Sequence, residues 1–168
     1  MNTQKITFLG LLTTLALLAT YIEYLVPSPI PAISGIKLGL ANVIILSLFY
    51  LFDGKTALCV NILRILLASL MFAGFTGAIY ALSGGLLSFS AMYFAKRSNA
   101  FSIIGVSIIG ATFHNIGQLS TSIIILQNKK LLYYLPVLSI SALITGLIIG
   151  YLSLYLVHHL HTFCKKFV

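Results

Sequence analysis

Long apolar runs broken by short polar or turn-forming segments cover almost the whole chain, and each run is too long and too unbroken for a strand. The first, about Ile6 to Val26, stops at Pro27-Ser-Pro29-Ile-Pro31, where prolines remove backbone donors and hold the chain extended, so a loop is predicted there. The second runs about Lys37 to Phe52 and ends at Asp53-Gly54-Lys55; the third runs about Thr56 to Phe72, followed by a tight turn over Gly74-Phe-Thr-Gly77. The fourth covers about Ala78 to Phe94 and closes at Lys96-Arg97-Ser-Asn99. The fifth covers about Phe101 to Leu126 and closes at Gln127-Asn-Lys129-Lys130. The sixth covers about Leu131 to Val157, with Pro136 early enough to sit in its first turn or to kink it mildly. A helix crossing hydrocarbon needs about 20 apolar residues. The pattern therefore predicts an all-α integral membrane bundle of six transmembrane helices, a single transmembrane domain over residues 1–168. Runs two to four look short for helices facing lipid throughout, which implies interfacial ends, a thinned bilayer or burial against neighbours. No repeat period and no low-complexity tract is visible.

Composition strengthens this reading. The chain is 60% hydrophobic and 7% charged, and its only acids are Glu23 and Asp53, too few charges to solvate a water-soluble domain. The net charge of +8 does not indicate nucleic acid, because the ten Lys and Arg are scattered singly or in pairs at the edges of apolar runs. With six spans, Lys5, Lys55, Lys96, Arg97, Lys165 and Lys166 share one side and Lys37, Lys129 and Lys130 the other. That bias predicts a multi-pass protein of the cell membrane with both termini cytoplasmic, Lys129-Lys130 being the counter-signal. Ile6 to Val26 is longer than a secretory signal core and has no small-residue cleavage site after it, so it is expected to stay as the first helix. Cys59 and Cys164 show neither CxxC nor metal-ligand spacing, and no disulfide, structural metal or resident cofactor is expected.

Small residues mark helix contacts. Ala142, Gly146 and Gly150 recur every four residues in the sixth helix, and Ala81, Gly84 or Gly85, Ser88, Ala91 and Ala95 form a similar stripe in the fourth. Gly84-Gly85 lacks the Lys-Ser/Thr ending of a phosphate-binding loop and reads as close packing. In the first helix Thr13, Ala16, Thr20 and Glu23 share a face, which either packs inside the monomer or meets a partner protein.

Polar side chains within the spans need a reason to be there. Asn61 and Arg64 lie three apart on one face of the third helix, well inside the hydrocarbon. Arg64 either snorkels to the cytoplasmic interface and ties loops together, or meets an anionic ligand. On the fifth helix Ser107, Gly110 or Ala111, His114, Gln118 and Ser122 follow helical spacing with Asn115 adjacent, lining either a cavity or an interhelical hydrogen-bond network. His114 has no Cys or carboxylate companion at metal-ligand spacing. Counted at about 1.5 Å per residue, Glu23, Lys37, Asn42, His114 and Gln118 fall in the outer half beneath the Pro-rich loop. These five, with Asn115, are the candidate solute-binding residues. His158, His159 and His161 read as interfacial residues at a helix end rather than a metal site.

Lys37-Leu-Gly-Leu-Ala-Asn42, Asn61-Ile-Leu-Arg64, Leu82-Ser-Gly-Gly-Leu86 and His114-Asn-Ile-Gly-Gln118, in that order, resemble the Gx transporter family. That family is often labelled heptaprenyl diphosphate synthase component I, and it is similar to the substrate-binding S components of energy-coupling factor (ECF) vitamin transporters. The resemblance covers nearly the whole chain, with Gly105 to Gln118 its most specific part. It implies a six-helix capture subunit for a small vitamin-, cofactor- or isoprenoid-related solute, energised by an ECF-type transmembrane coupling subunit and ATPases on other chains. It implies that the small-residue face around Ala16 and Thr20 docks the coupling subunit. From their place on the third helix, Asn61 and Arg64 are read as structural or coupling residues. Some relatives are linked to flavin or quinone electron transfer, which keeps redox cofactors among the possible solutes.

The synthase label conflicts with the chemistry available. Prenyl-chain elongation needs magnesium held on a diphosphate by clustered carboxylates, whereas the two acids here stand thirty residues apart. No Walker loop is present either, so the chain is read as non-catalytic. Three functions follow: solute capture, a membrane accessory of isoprenoid or quinone synthesis, and an assembly factor for a flavin or quinone electron-transfer system.

Overall fold

The structure, a computed structural model, describes residues 3–26 and 39–164, apart from the side chain at position 163. The Pro-rich loop, Lys37, Lys165 and Lys166 lie outside the described residues. Within them every element is helical: α1 (Thr3–Leu25), α2 (Leu40–Leu51), α3 (Gly54–Ala68), α4 (Gly74–Arg97), α5 (Ile103–Leu126) and α6 (Leu135–Cys164). A π turn, Ser69–Ala73, continues α3, and a 3-10 stretch, Lys129–Tyr134, precedes α6.

Helix starts follow local chemistry. Asp53 caps α3 by accepting the Thr56 N–H at 2.9 Å, and Ser102 caps α5 by accepting from Gly105 at 3.3 Å. Asn99 just past α4 and Gln127 just past α5 adopt positive φ, 54° and 48°, which ends each helix. The turn expected over Gly74 to Gly77 is a sharper device. The π turn runs straight into Gly74, whose φ of 68° and ψ of 179° reverse the chain, and α4 begins at that residue. The helices then run back along one another, since a Cβ on Gly85 would touch Ile65 and Asn61, and one on Gly54 would meet Phe89 and Tyr93. Pro136 stands in the first turn of α6, where its missing N–H costs nothing.

Glycine sets the closest approaches. A Cβ at Gly117 would lie 2.8 Å from the Ser83 carbonyl oxygen, so α4 and α5 meet backbone to backbone. Cβ atoms at Gly146 and Gly150 would lie 2.7 and 2.8 Å from the Cα atoms of Ile108 and Ile104, which explains the small-residue stripe of α6. On the adjoining face of α6, the Ser153 hydroxyl donates to the Val43 carbonyl at 3.2 Å, and Ile149 faces Gly39, so α6 and α2 run parallel. Phe8 of α1 packs against Phe52 after α2, which brings the start of α1 and the ends of α2 and α6 to one end of the bundle. The core centres on α2, with Ile45, Leu46, Leu48 and Phe49 all buried beside Val60, Phe89 and Val106.

The outer surface is apolar: Leu70, Phe75 and Tyr133 each expose more than four-fifths of their area, along with Ile124, Leu143 and Tyr151. Such a surface belongs against lipid rather than water. Among the described residues, three stretches are long and apolar enough to cross a membrane: Thr3–Leu25, Gly54–Arg97 and Lys129–Thr162. The 44 residues of Gly54–Arg97 are the α3–α4 pair folded at Gly74. α2 has 12 described helical residues, and α5, with 24, carries His114, Asn115 and Gln118 in mid-length; neither belongs to that set.

Candidate functional site

The half of the bundle away from the start of α1 encloses a cavity offering about 120 Å³ to the centre of a water molecule. All six helices contribute to its wall. α1 provides Thr20, Glu23 and Tyr24. The start of α2 provides Asn42, with Gly39 just before it. α3 and its π turn provide Arg64, Ala68 and Phe72; α4 contributes Ala78 and Ala81; α5 contributes Ala111, His114, Asn115 and Gln118; α6 contributes Thr145 and Ile149. Small side chains on α3 and α4 line much of the space, and the π turn contributes Ser69, Phe72 and Ala73 to that wall.

Several of the polar groups are held by bonds between elements. Glu23 Oε1 accepts the Leu40 N–H at 2.5 Å, tying α1 to the first residue of α2 and placing a carboxylate at a helix N-terminus. Arg64, 7% exposed, donates from Nη2 to Asn61 Oδ1 at 2.7 Å and from Nη1 to the Thr20 hydroxyl at 3.1 Å. Asn115 donates from Nδ2 to the Leu138 carbonyl at 3.0 Å and so fastens α5 to α6. Gly84 makes room opposite: a Cβ there would sit 2.9 Å from Gln118 Cγ and 3.0 Å from His114 Cε1. Among the described residues, the buried Arg64 Nε and Gln118 Oε1 of this wall meet no hydrogen-bond partner.

The candidate residues Glu23, Asn42, His114, Asn115 and Gln118 thus share one cavity, while Lys37 lies outside the described residues. Arg64, expected either at the interface or at an anionic ligand, sits ten positions into α3, level with Thr20 near the far end of α1, and lines the same cavity. Asn61 stays in the packed interior as its hydrogen-bond acceptor. The face around Ala16 and Thr20, expected to meet a coupling subunit, packs within the chain. Ala16 is fully buried and Thr20 turns inward to Arg64, because the small face of α1 is what lets α2 and α3 approach. The exposed side of α1 consists instead of Leu11, Leu15, Leu18 and Ile22. Sequence reasoning also missed Tyr24, Phe72 and the alanines of α3 and α4. Helical spacing held the signal, since Thr20 lies three residues before Glu23 and Ala68 four after Arg64.

The expected stripe on α5 divides. His114 and Gln118 face the cavity, whereas the Ser122 hydroxyl bonds back to the Gln118 carbonyl and Ser107 is buried elsewhere. Among the described residues, no group of three or more His, Cys, Asp or Glu could hold a metal ion.

The sequence model of the family described as heptaprenyl diphosphate synthase component I matches residues 12–156. The chain belongs to this family. The matched stretch begins in α1 and ends in α6, so every cavity residue named above falls within the heptaprenyl diphosphate synthase component I match. No curated protein matches the chain.

Proposed function

We propose that this chain is a membrane solute-binding subunit, similar to the S components of ECF vitamin transporters, that captures a small vitamin-, cofactor- or isoprenoid-related solute. The observation that carries the reading is the cavity itself, where Glu23, Arg64, Asn42, His114 and Gln118 converge from four helices at one level of an apolar bundle. Placing so many polar groups inside a membrane protein is costly unless they serve a ligand or a fully satisfied network, and Arg64 Nε and Gln118 Oε1 leave the network unsatisfied. In this proposal all six helices cross the bilayer, both termini are cytoplasmic, and the cavity loads from the outer side. A coupling subunit and ATPases on other chains supply the energy.

The chain itself is proposed to be non-catalytic. Asp53 caps α3 at the end shared with the start of α1, while Glu23 lies near the other end, so no carboxylate pair is available to hold magnesium on a diphosphate. The family description favours a second reading, a membrane accessory of a prenyl diphosphate synthase.

Native mass spectrometry of the protein purified from its own membrane separates the two. The capture reading expects one small solute bound to the wild type and at least fivefold less in a folded Gln118→Leu variant, the consequence of losing about 1 kcal/mol of hydrogen bonding. A co-purifying prenyl synthase with an empty cavity establishes the accessory reading instead.

A further inference from the structure

The chemistry of the solute can be narrowed from the cavity wall, given the capture reading above. Arg64 is more than nine-tenths buried, two of its nitrogens are engaged by Thr20 and Asn61, and its Nε, a donor on a cation, is left without an acceptor. From α5, Gln118 Oε1 presents a buried acceptor without a donor. The two formal charges among the described lining residues are Arg64 and Glu23, one of each sign, and they attract one another. Much of the remaining wall is apolar, including Ile65, Phe72, Ala81 and Ile149.

The geometry points to a compact monoanion or zwitterion: one acidic oxygen group, a carboxylate or a phosphate ester, for Arg64, a neighbouring N–H or O–H for Gln118, and an apolar body. A planar guanidinium with an open Nε edge suits an acidic oxygen better than any neutral acceptor does. A diphosphate is disfavoured. Among the described lining residues its two or more negative charges would face Arg64 as the one guanidinium, with the Glu23 carboxylate adding repulsion, whereas a monoanion brings one negative charge and a zwitterion none in net. On the charges of the described lining, the proposed solute is a singly acidic group rather than a prenyl diphosphate, even though the family description contains those words.

The test uses purified full-length protein in lipid nanodiscs, stripped of bound solute, and three probes: 4-aminobenzoate, its uncharged isostere 4-aminobenzamide, and inorganic diphosphate. 4-Aminobenzoate should raise the melting temperature of the wild type in a saturable way. 4-Aminobenzamide should bind at least fivefold more weakly, and diphosphate should have no effect. Gln118→Leu should weaken 4-aminobenzoate at least fivefold, and Arg64→Gln, if it folds, should abolish the difference between 4-aminobenzoate and 4-aminobenzamide. Because the probe comparison is made on the wild type, a folding failure of the Arg64 variant does not blunt it. Stabilisation by diphosphate exceeding that by 4-aminobenzoate, equal binding of 4-aminobenzamide, or no response to 4-aminobenzoate overturns the inference. A native solute found on the wild type despite any of those results means that only the charge class was wrong. An empty wild type with unresponsive probes removes the capture reading as well.

Discussion

Asp53 shows how much one side chain can contribute where a helix begins at the membrane surface. Hydrogen bonding to Thr56, through the side chain first and the backbone N–H next, holds its carboxyl below the ordinary carboxylate range, and Lys5 adds attraction. Because the folded value lies below the unfolded one, this stabilisation is present above the ordinary carboxylate range. It disappears as pH falls through the folded value. Asp53→Ala should cost about 1 kcal/mol in detergent-solubilised protein, whereas Asp53→Asn should keep most of the cap but lose its pH dependence. Thermal melts of the three proteins at neutral and strongly acidic pH check this; a wild-type advantage over Asn that persists in acid contradicts it. At the cavity, Asn115 and Gln118 are not equivalent probes. Asn115 fastens α5 to α6 through the Leu138 carbonyl, so Asn115→Leu should lower stability as well as binding, while Gln118→Leu should affect binding chiefly. Glu23, Asn42, His114 and Gln118 were legible as a group because helix rise alone puts them in one half of the bundle. Arg64 was not, since depth counted from an assumed span edge cannot show which way a long side chain turns, and here it turns to Thr20.

At the level of elements, the contact of α4 with α5 governs the cavity's shape. Gly117 meets the Ser83 backbone, and Gly84 leaves room for Gln118 and His114. Gly117→Ala should therefore force the helices apart and destabilise the fold by about 1–3 kcal/mol. Gly84→Ala should add a narrowing of the cavity, because its Cβ would also press on the His114 carbonyl. Melting temperature and probe binding, measured together, separate the effects; normal values for both variants would show that the helices are free to slide. The glycine stripe of α6 and the Gly84-Gly85 pair were readable as packing surfaces from spacing alone. Helix boundaries were readable to within a few residues for α1, α3 and α5, whereas α4 begins four residues earlier than the pattern indicated. The reason is the π turn: Ser69–Ala73 keeps the chain helical up to Gly74, and a one-residue reversal leaves no polar loop for a hydropathy pattern to register. The inward face of α1 was equally hidden, because a small-residue stripe specifies close approach without naming the neighbour.

Among the described residues, an apolar exterior surrounds a cavity in one half whose largely apolar wall carries a few polar groups, and the lysines near the start of α1 and the end of α4 gather at the opposite end. With Cys59 and Cys164 replaced, single cysteines at Lys55 and Lys129 should label from opposite sides of the membrane, Lys129 from outside. Labelling of both from one side would remove the proposed orientation. The helical character of the described residues was legible from the long unbroken apolar runs, and the two acids in 168 residues agree with the three stretches long enough to cross a membrane. The enclosure of the site was not, since it depends on six helices meeting at one level. The most direct measurement is a crystal structure of the wild-type protein purified from its own membrane with nothing added, read in the space between Arg64 and Gln118. One continuous feature the size of a small organic solute, in contact with Arg64 Nε and Gln118 Oε1, is the predicted result. A cavity closed by those two side chains bonding to each other, or filled by separate waters alone, would contradict the claim that it is built to capture a solute.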